Sequence, residues 1–245
     1  RAVMIRRYEL DPSAPTVGGW LRDVVLRAVV PAVVLFAAIV ALGTVIVGPL
    51  NSIPGEDDIN RSAQSVRNPT WDSITEVWSH IGNTEIVIGL CVLAVAILWW
   101  RTKQWWYAVI PALAITLQAS VFVPATAVTG RERPHVEHLD PAPPTSSYPS
   151  GHMGASTALY LTFAVMAQRI ERTWLRRLVT AVCVVVPLLV GYARVFRGMH
   201  HVTDVTVGAL NGIVCTLLAW HALRRRPQPA AAPDRAEQAD ARAPR

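Results

Sequence analysis

Three short clusters hold residues whose types and spacing suit one chemistry. They are Gly130-Arg131-Glu132-Arg133-Pro134, Tyr148-Pro149-Ser150-Gly151-His152, and the run 194–204 with Arg194, Arg197, His200, His201 and Asp204. Arg133 and Arg194 offer planar forks of N–H donors that match phosphate oxygens and never lose their charge. Ser150 and Gly151 stand just ahead of an apolar run, so backbone N–H groups at a helix start make an anion cradle there. His200 and Asp204 are four residues apart, neighbours on a helical face, and the carboxylate can orient the imidazole and stabilise its charged form. That makes His200 the better nucleophile and leaves His152 as general acid for the departing oxygen. The target that such groups suit is the phosphorus of a phosphate monoester or diphosphate.

Helices that cross a membrane must position these groups. Of 245 residues, 52% are hydrophobic and 16% charged, and the apolar ones fall in long runs rather than amphipathic periods. A spanning helix needs about 20 mostly apolar residues. Six segments qualify, 28–47, 86–100, 105–128, 154–167, 178–192 and 205–223; the second, fourth and fifth are short. The expectation is an all-α, polytopic six-helix bundle over 28–223, with a cytoplasmic segment before it (1–27) and a basic, disordered tail after it (224–245). No cleaved signal peptide is expected, because the first run is long enough to span and lacks a small-residue cleavage site behind it.

Arginines set the orientation. Arg6, Arg7, Arg22 and Arg27 precede the first span, and Arg101 and Lys103 lie in a hairpin bracketed by Trp99, Trp100, Trp105 and Trp106. Arg169, Arg172, Arg176 and Arg177 join the fourth and fifth spans, and Arg224, Arg225 and Arg226 follow the sixth. All are expected in the cytoplasm, with both termini. Because successive spans alternate in direction, the three clusters then emerge together outside and can form one outer-face catalytic pocket. The acidic connection 48–85 belongs outside too, and within it Trp71, Ile74, Trp78 and Ile81 recur at helical spacing, as in an amphipathic helix lying on the surface.

The net charge of +6 does not point to nucleic acid, since the arginines sit at the ends of apolar runs; the expected partners are the lipid bilayer and a lipid phosphate. Cys91, Cys183 and Cys215 lie inside apolar runs and imply no disulfide framework. An Ala- and Arg-rich composition with Lys103 as the only lysine points to a bacterium of high-GC genome. Oligomeric state is not legible.

At these residues the chain resembles the type 2 phosphatidic acid phosphatase superfamily of membrane lipid phosphate phosphatases, related in fold to the vanadium haloperoxidases. The family pattern is a Lys, six residues and Arg-Pro, then Pro-Ser-Gly-His, then Ser-Arg, five residues, His, three residues and Asp. Arg133-Pro134 matches the end of the first part, Pro149-Ser150-Gly151-His152 the second, and Arg194, His200 and Asp204 the third. The resemblance implies a six-helix fold, a phosphohistidine at His200, leaving-group protonation by His152, and neither metal nor other cofactor. Two positions depart: Thr126 stands where the family has lysine, and Ala193 where it has serine. With that lysine missing, either Arg131 or Arg197 substitutes as a phosphate contact or the phosphate is held more weakly.

The same residues admit rival explanations. His135, His138, His152, His200, His201 and Asp204 are metal-ligand types, but Arg133 and Arg194 in the same site would repel a cation. His135 and His138, in a Pro-rich loop with Glu137 and Asp140, are expected to be solvated loop residues, and His201 a bystander or a neighbour of the site. A non-catalytic membrane protein retaining the fold is favoured only by Thr126, and a phosphotransferase would use the same site with a different acceptor. Candidate substrates are a polyprenyl diphosphate, phosphatidylglycerol phosphate and phosphatidic acid.

Overall fold

The computed structural model describes residues 10–50 and 53–225; most of the basic tail lies outside them. Among the described residues eight helices are formed and there is no named strand. The first, α1 (Val17–Val47), begins eleven residues ahead of the expected span. Thr16 caps it by accepting from the Gly19 N–H at 3.2 Å, and Arg27 pairs with Asp23 at 3.4 Å along the added turns, so charged residues that end an apolar run need not end a helix. Two shorter helices follow, α2 (Glu56–Ser65) and α3 (Pro69–Ile81), the latter started by the Asn68 cap with Pro69 in its first turn. α4 (Thr84–Thr102) stops at Lys103 in the left-handed conformation, and one turn, Trp105–Ala108, leads into α5 (Ile110–Thr129), which Gly130 ends at φ +66°. After a long loop come α6 (Gly151–Ala167), α7 (Thr173–Phe196) and α8 (Val202–His221).

Among the described residues five helices, α1, α4, α5, α7 and α8, are long and apolar enough to cross a membrane. α6 is the remaining bundle helix, and its 17 residues reach about 25 Å. It is also the most enclosed, packing on α5, α7 and α8 with ten residues buried, so it can be shorter and more polar than a helix facing lipid. Glycines let it approach α8. A Cβ on Gly212 would come within 2.6 Å of the Gly154 carbonyl oxygen, and one on Gly208 within 2.5 Å of that of Ser150. This small-xxx-small pair is the close-approach signature of membrane helices.

α3 packs along the outer half of α7, but not by its apolar stripe. Thr75 and Ser79 are its buried residues, while Trp71 stays exposed and Trp78 meets Tyr192 edge-on at 6.1 Å. The polar side faces inward because buried arginines from α7 and the loop after it await partners there. At the opposite end Trp105 packs against Trp20 at 5.4 Å, and Arg169 lies 4.8 Å over the Tyr107 ring. Apart from this bundle, residues 10–13 and 224–225 form the described part of a separate unit, held by a bridge between Leu10 and Arg225 and a 2.6 Å bond from Arg224 to the Ser13 carbonyl.

Candidate active site

The end of α5, the start of α6, the end of α7 and the turn before α8 meet at one end of the bundle. Between them lies a cavity of about 910 Å3 whose wall includes Arg133, Gly151, His152, Arg194, Arg197 and His200. The three sequence clusters thus do converge.

His200 lies outside α8, one residue ahead of the extended cap residue His201. Its Nδ1 is 2.7 Å from the Ser147 carbonyl oxygen and 3.9 Å from Asp204 Oδ2. A carbonyl only accepts, so Nδ1 carries the proton and Nε2 keeps its lone pair. The expected helical i, i+4 pairing is therefore replaced: Ser147 orients the ring, and Asp204 supplies charge from just beyond hydrogen-bond range. Burial, reinforced by the Arg194 charge, holds the His200 pKa well below its ordinary value, so the ring is neutral and nucleophilic. The backbone is pinned by Asn60 of α2, fully buried, whose amide donates to the carbonyls of His200 and Val195 at 3.2 Å each.

Asp204 is fully buried and belongs to a charge network. It accepts from the His201 backbone N–H at 2.8 Å and from Arg131 at 2.5 Å, and the His201 ring stands 3.2 Å away. Arg131 also donates to Glu56 and to Thr203 Oγ1, both at 2.7 Å, while Glu56 receives the Thr203 N–H and hydroxyl. Burial would lower the Arg131 pKa, but Asp204 and Glu56 outweigh it and raise it. Arg131 lines a second, outer cavity of about 530 Å3 and not the wall of the first. The structure thus gives it a task other than the phosphate contact expected of it.

Arg197 is likewise committed. It binds Asp140 through Nε at 2.8 Å, the Asp72 carbonyl at 2.8 Å, the Leu139 carbonyl at 3.1 Å and Thr75 at 3.4 Å. The expected phosphate contact is again spent on structure, although the side chain borders the cavity. Asp140, from the Pro-rich loop, joins Arg197 to Arg194 Nη1, 2.7 Å away, and accepts from Ser79. Burial opposes its ionisation, yet the bonds from Arg197 and Ser79 and the two guanidinium charges keep its pKa below the ordinary value.

Arg133 and Arg194 remain open. Arg133 spends one donor on the Met199 carbonyl, at 2.7 Å, and Arg194 spends Nη1 on Asp140 and Ser79; the Nε of each is buried without a partner. Nη2 of each also makes no hydrogen bond, and open guanidinium N–H groups of cavity-lining arginines suit an oxyanion.

At the head of α6 the cradle shifts by one residue from the expected Ser150 and Gly151. Ser150 is fully buried, its N–H donates to the Asp204 carbonyl at 2.9 Å, and its hydroxyl caps the Met153 N–H. The N–H groups of Gly151 and His152 find no partner among the described residues and are the ones free for an anion. His152 Nε2 lies 2.9 Å from Asn83 Oδ1, a cavity residue at the start of α4 that sequence reasoning missed. Its signal was faint: a single carboxamide at the mouth of an apolar run. Thr126 donates to the Ser146 carbonyl at 3.2 Å and does not line the cavity. His135 stays exposed beside Glu132, and His138 bonds the Pro134 carbonyl.

No curated protein matches the sequence. Two solved structures share the fold. A transmembrane PAP2 type phosphatidylglycerolphosphate phosphatase from Bacillus subtilis is 23% identical with a TM-score of 0.67, the match covering 77% of this chain and 94% of that one. LpxE of Aquifex aeolicus is 21% identical with a TM-score of 0.55, over 66% of this chain and 93% of its own. The profile of the PAP2 superfamily matches residues 105–228, the stretch holding all three clusters, and the chain belongs to the PAP2 superfamily.

Proposed function

We propose that this membrane protein removes phosphate from a lipid at the outer leaflet, through a phosphohistidine at His200 and without a metal. The observation that carries the reading is that a neutral imidazole with a free Nε2 shares a cavity wall with two arginines whose Nη2 groups make no hydrogen bond. Nε2 of His200 attacks phosphorus; an N–P bond forms and the P–O bond to the lipid breaks. His152 gives its proton to the departing oxygen, so a monoester leaves as the lipid alcohol and a diphosphate as the lipid monophosphate. Positive charge developing on the His200 ring is met by Asp204. Water then attacks phosphorus with His152 as base, which releases inorganic phosphate and restores both histidines. Arg133, Arg194 and the N–H groups of Gly151 and His152 hold the phosphoryl oxygens throughout, and the arginine charges disfavour a cation in the same place. The phosphatidylglycerolphosphate phosphatase that shares the fold keeps a phospholipid substrate in view.

Purified protein in detergent should release inorganic phosphate from a panel of lipid phosphates and diphosphates with chelator present and no added acceptor. Release only when a lipid or sugar acceptor is supplied would make it a phosphotransferase, and loss of activity in chelator would reinstate a metal.

The arginine distribution puts the pocket outside the cytoplasm. Single cysteines in the loop 135–147, in a background lacking Cys91, Cys183 and Cys215, should react with a membrane-impermeant maleimide in intact cells. Reaction only after lysis would invert the topology.

A further inference from the structure

The cavity is far larger than a phosphate. Beyond the arginines and histidines it continues between α4, α5 and α6 along Val87, Ile88, Ile115, Phe122 and Ala155. Gln118 belongs to the same wall; it is 2% exposed, and its Nε2 lies over Gly154 without a hydrogen-bond partner. A buried amide left unpaired among apolar side chains is unfavourable, and an acceptor on a ligand would relieve it.

The pairing of α5 with α6 fixes its depth. Phe122 covers Gly151, where a Cβ would lie 2.6 Å from the ring, and Gln118 covers Gly154, where a Cβ would collide with Nε2. The amide thus stands three residues below the phosphate cradle, about 4.5 Å along the helix.

We propose that Gln118 is a specificity-determining residue that donates a hydrogen bond to an ester oxygen of the lipid, so that the site prefers a phosphate monoester of an acylated glycerol to a polyprenyl diphosphate. The inference rests on the lipid phosphatase reading above. In an acylated glycerol phosphate, neutral ester oxygens stand a few bonds beyond phosphorus, at the depth of the amide. A polyprenyl chain is hydrocarbon from its first carbon and leaves the amide unpaired. Charge points the same way. Arg133 has no carboxylate partner, Arg194 and Arg197 share the single carboxylate of Asp140, Arg131 is paired with Glu56 and Asp204, and Thr126 brings no charge. Two fixed charges balance a monoester dianion; the extra charge of a diphosphate would meet only a neutral amide and apolar wall.

The test is phosphate release by the full-length protein in detergent from three substrates: phosphatidic acid, a polyprenyl diphosphate and a water-soluble aryl phosphate. Gln118→Met keeps the length of the side chain and removes its donor. It should lower kcat/KM about tenfold on phosphatidic acid and leave the other two substrates unchanged. An equal loss on all three would show that Gln118 only packs α5 against α6, and no loss on phosphatidic acid would show that it touches no substrate; either overturns the proposal. Should the Met variant melt early, Gln118→Asn, which keeps the amide but withdraws it, must show the same selective loss. Wild-type protein that released phosphate from none of the three would bring down the phosphatase reading and this inference with it, an outcome visible before any variant is made.

Discussion

His200→Ala should release no phosphate above background, a loss of at least about 10,000-fold in kcat, while His201→Ala should stay within about tenfold of wild type. The two rings are adjacent in sequence but differ in what they are free to do. His200 has Nδ1 committed to the Ser147 carbonyl and Nε2 available in the cavity wall. His201 is absent from that wall; it faces Asp204 through Nδ1 at 3.2 Å and Asp57 through Nε2 at 3.4 Å. Removing the His201 ring leaves Asp204 its bonds to the backbone N–H and to Arg131, so the carboxylate keeps its place. Removing the His200 ring leaves no nucleophile facing Arg133 and Arg194. The His200→Ala protein should still bind orthovanadate, a phosphate mimic, because the arginines and the cradle at Gly151 persist. If His201→Ala were the dead variant and His200→Ala the active one, the nucleophile would be misassigned and the Ser147 contact would be a structural bond only.

The helices and the three clusters were legible because both signals are local: long apolar runs, and short strings of polar residues at run ends. What stayed illegible was the division of labour among residues of one type. Arg131, Arg133, Arg194 and Arg197 look alike in sequence, and only the fold brings Glu56 and Asp204 to the first and Asp140 to the last two. Asp140 sits in a Pro-rich loop that gives no hint of burial. The spacing of His200 and Asp204 suggested a common helical face, yet α8 starts only at Val202 because His201 is extended at ψ 164°. On α3, the recurrence of Trp71, Ile74, Trp78 and Ile81 marked a helix, but not that the polar side with Thr75 and Ser79 would face the buried arginines. The glycines at 208 and 212 were readable as a close-packing pair and went unread. Asn60, Asn83 and Gln118 carry no spacing signal, because each meets a partner far away in the chain or lines a cavity that exists only after folding.

Arg131→Ala should cripple the enzyme by loosening it rather than by weakening its grip on phosphate. Arg131 is 9% exposed and stands between two buried carboxylates, Glu56 and Asp204, so its loss leaves both without their cation. Breaking a buried ion pair from one side costs about 3–5 kcal/mol, and the expected result is a fall of roughly 10 °C in Tm. Asp204, freed from Arg131, would also sit less firmly beneath His200, so kcat should fall while affinity for orthovanadate changes little. Thr126→Lys should behave in the opposite manner. Thr126 reaches the Ser146 carbonyl, and Ser146 borders the cavity, so a longer cationic side chain there can pass that carbonyl and add a donor to the phosphate. A charged hydrogen bond contributes about 1.5–3 kcal/mol, and the expected gain is about tenfold in KM with Tm unchanged. A variant Arg131→Ala that melts like wild type but no longer holds orthovanadate would mean that this arginine had taken the place of the lysine after all, and the network with Glu56 would then be incidental to stability.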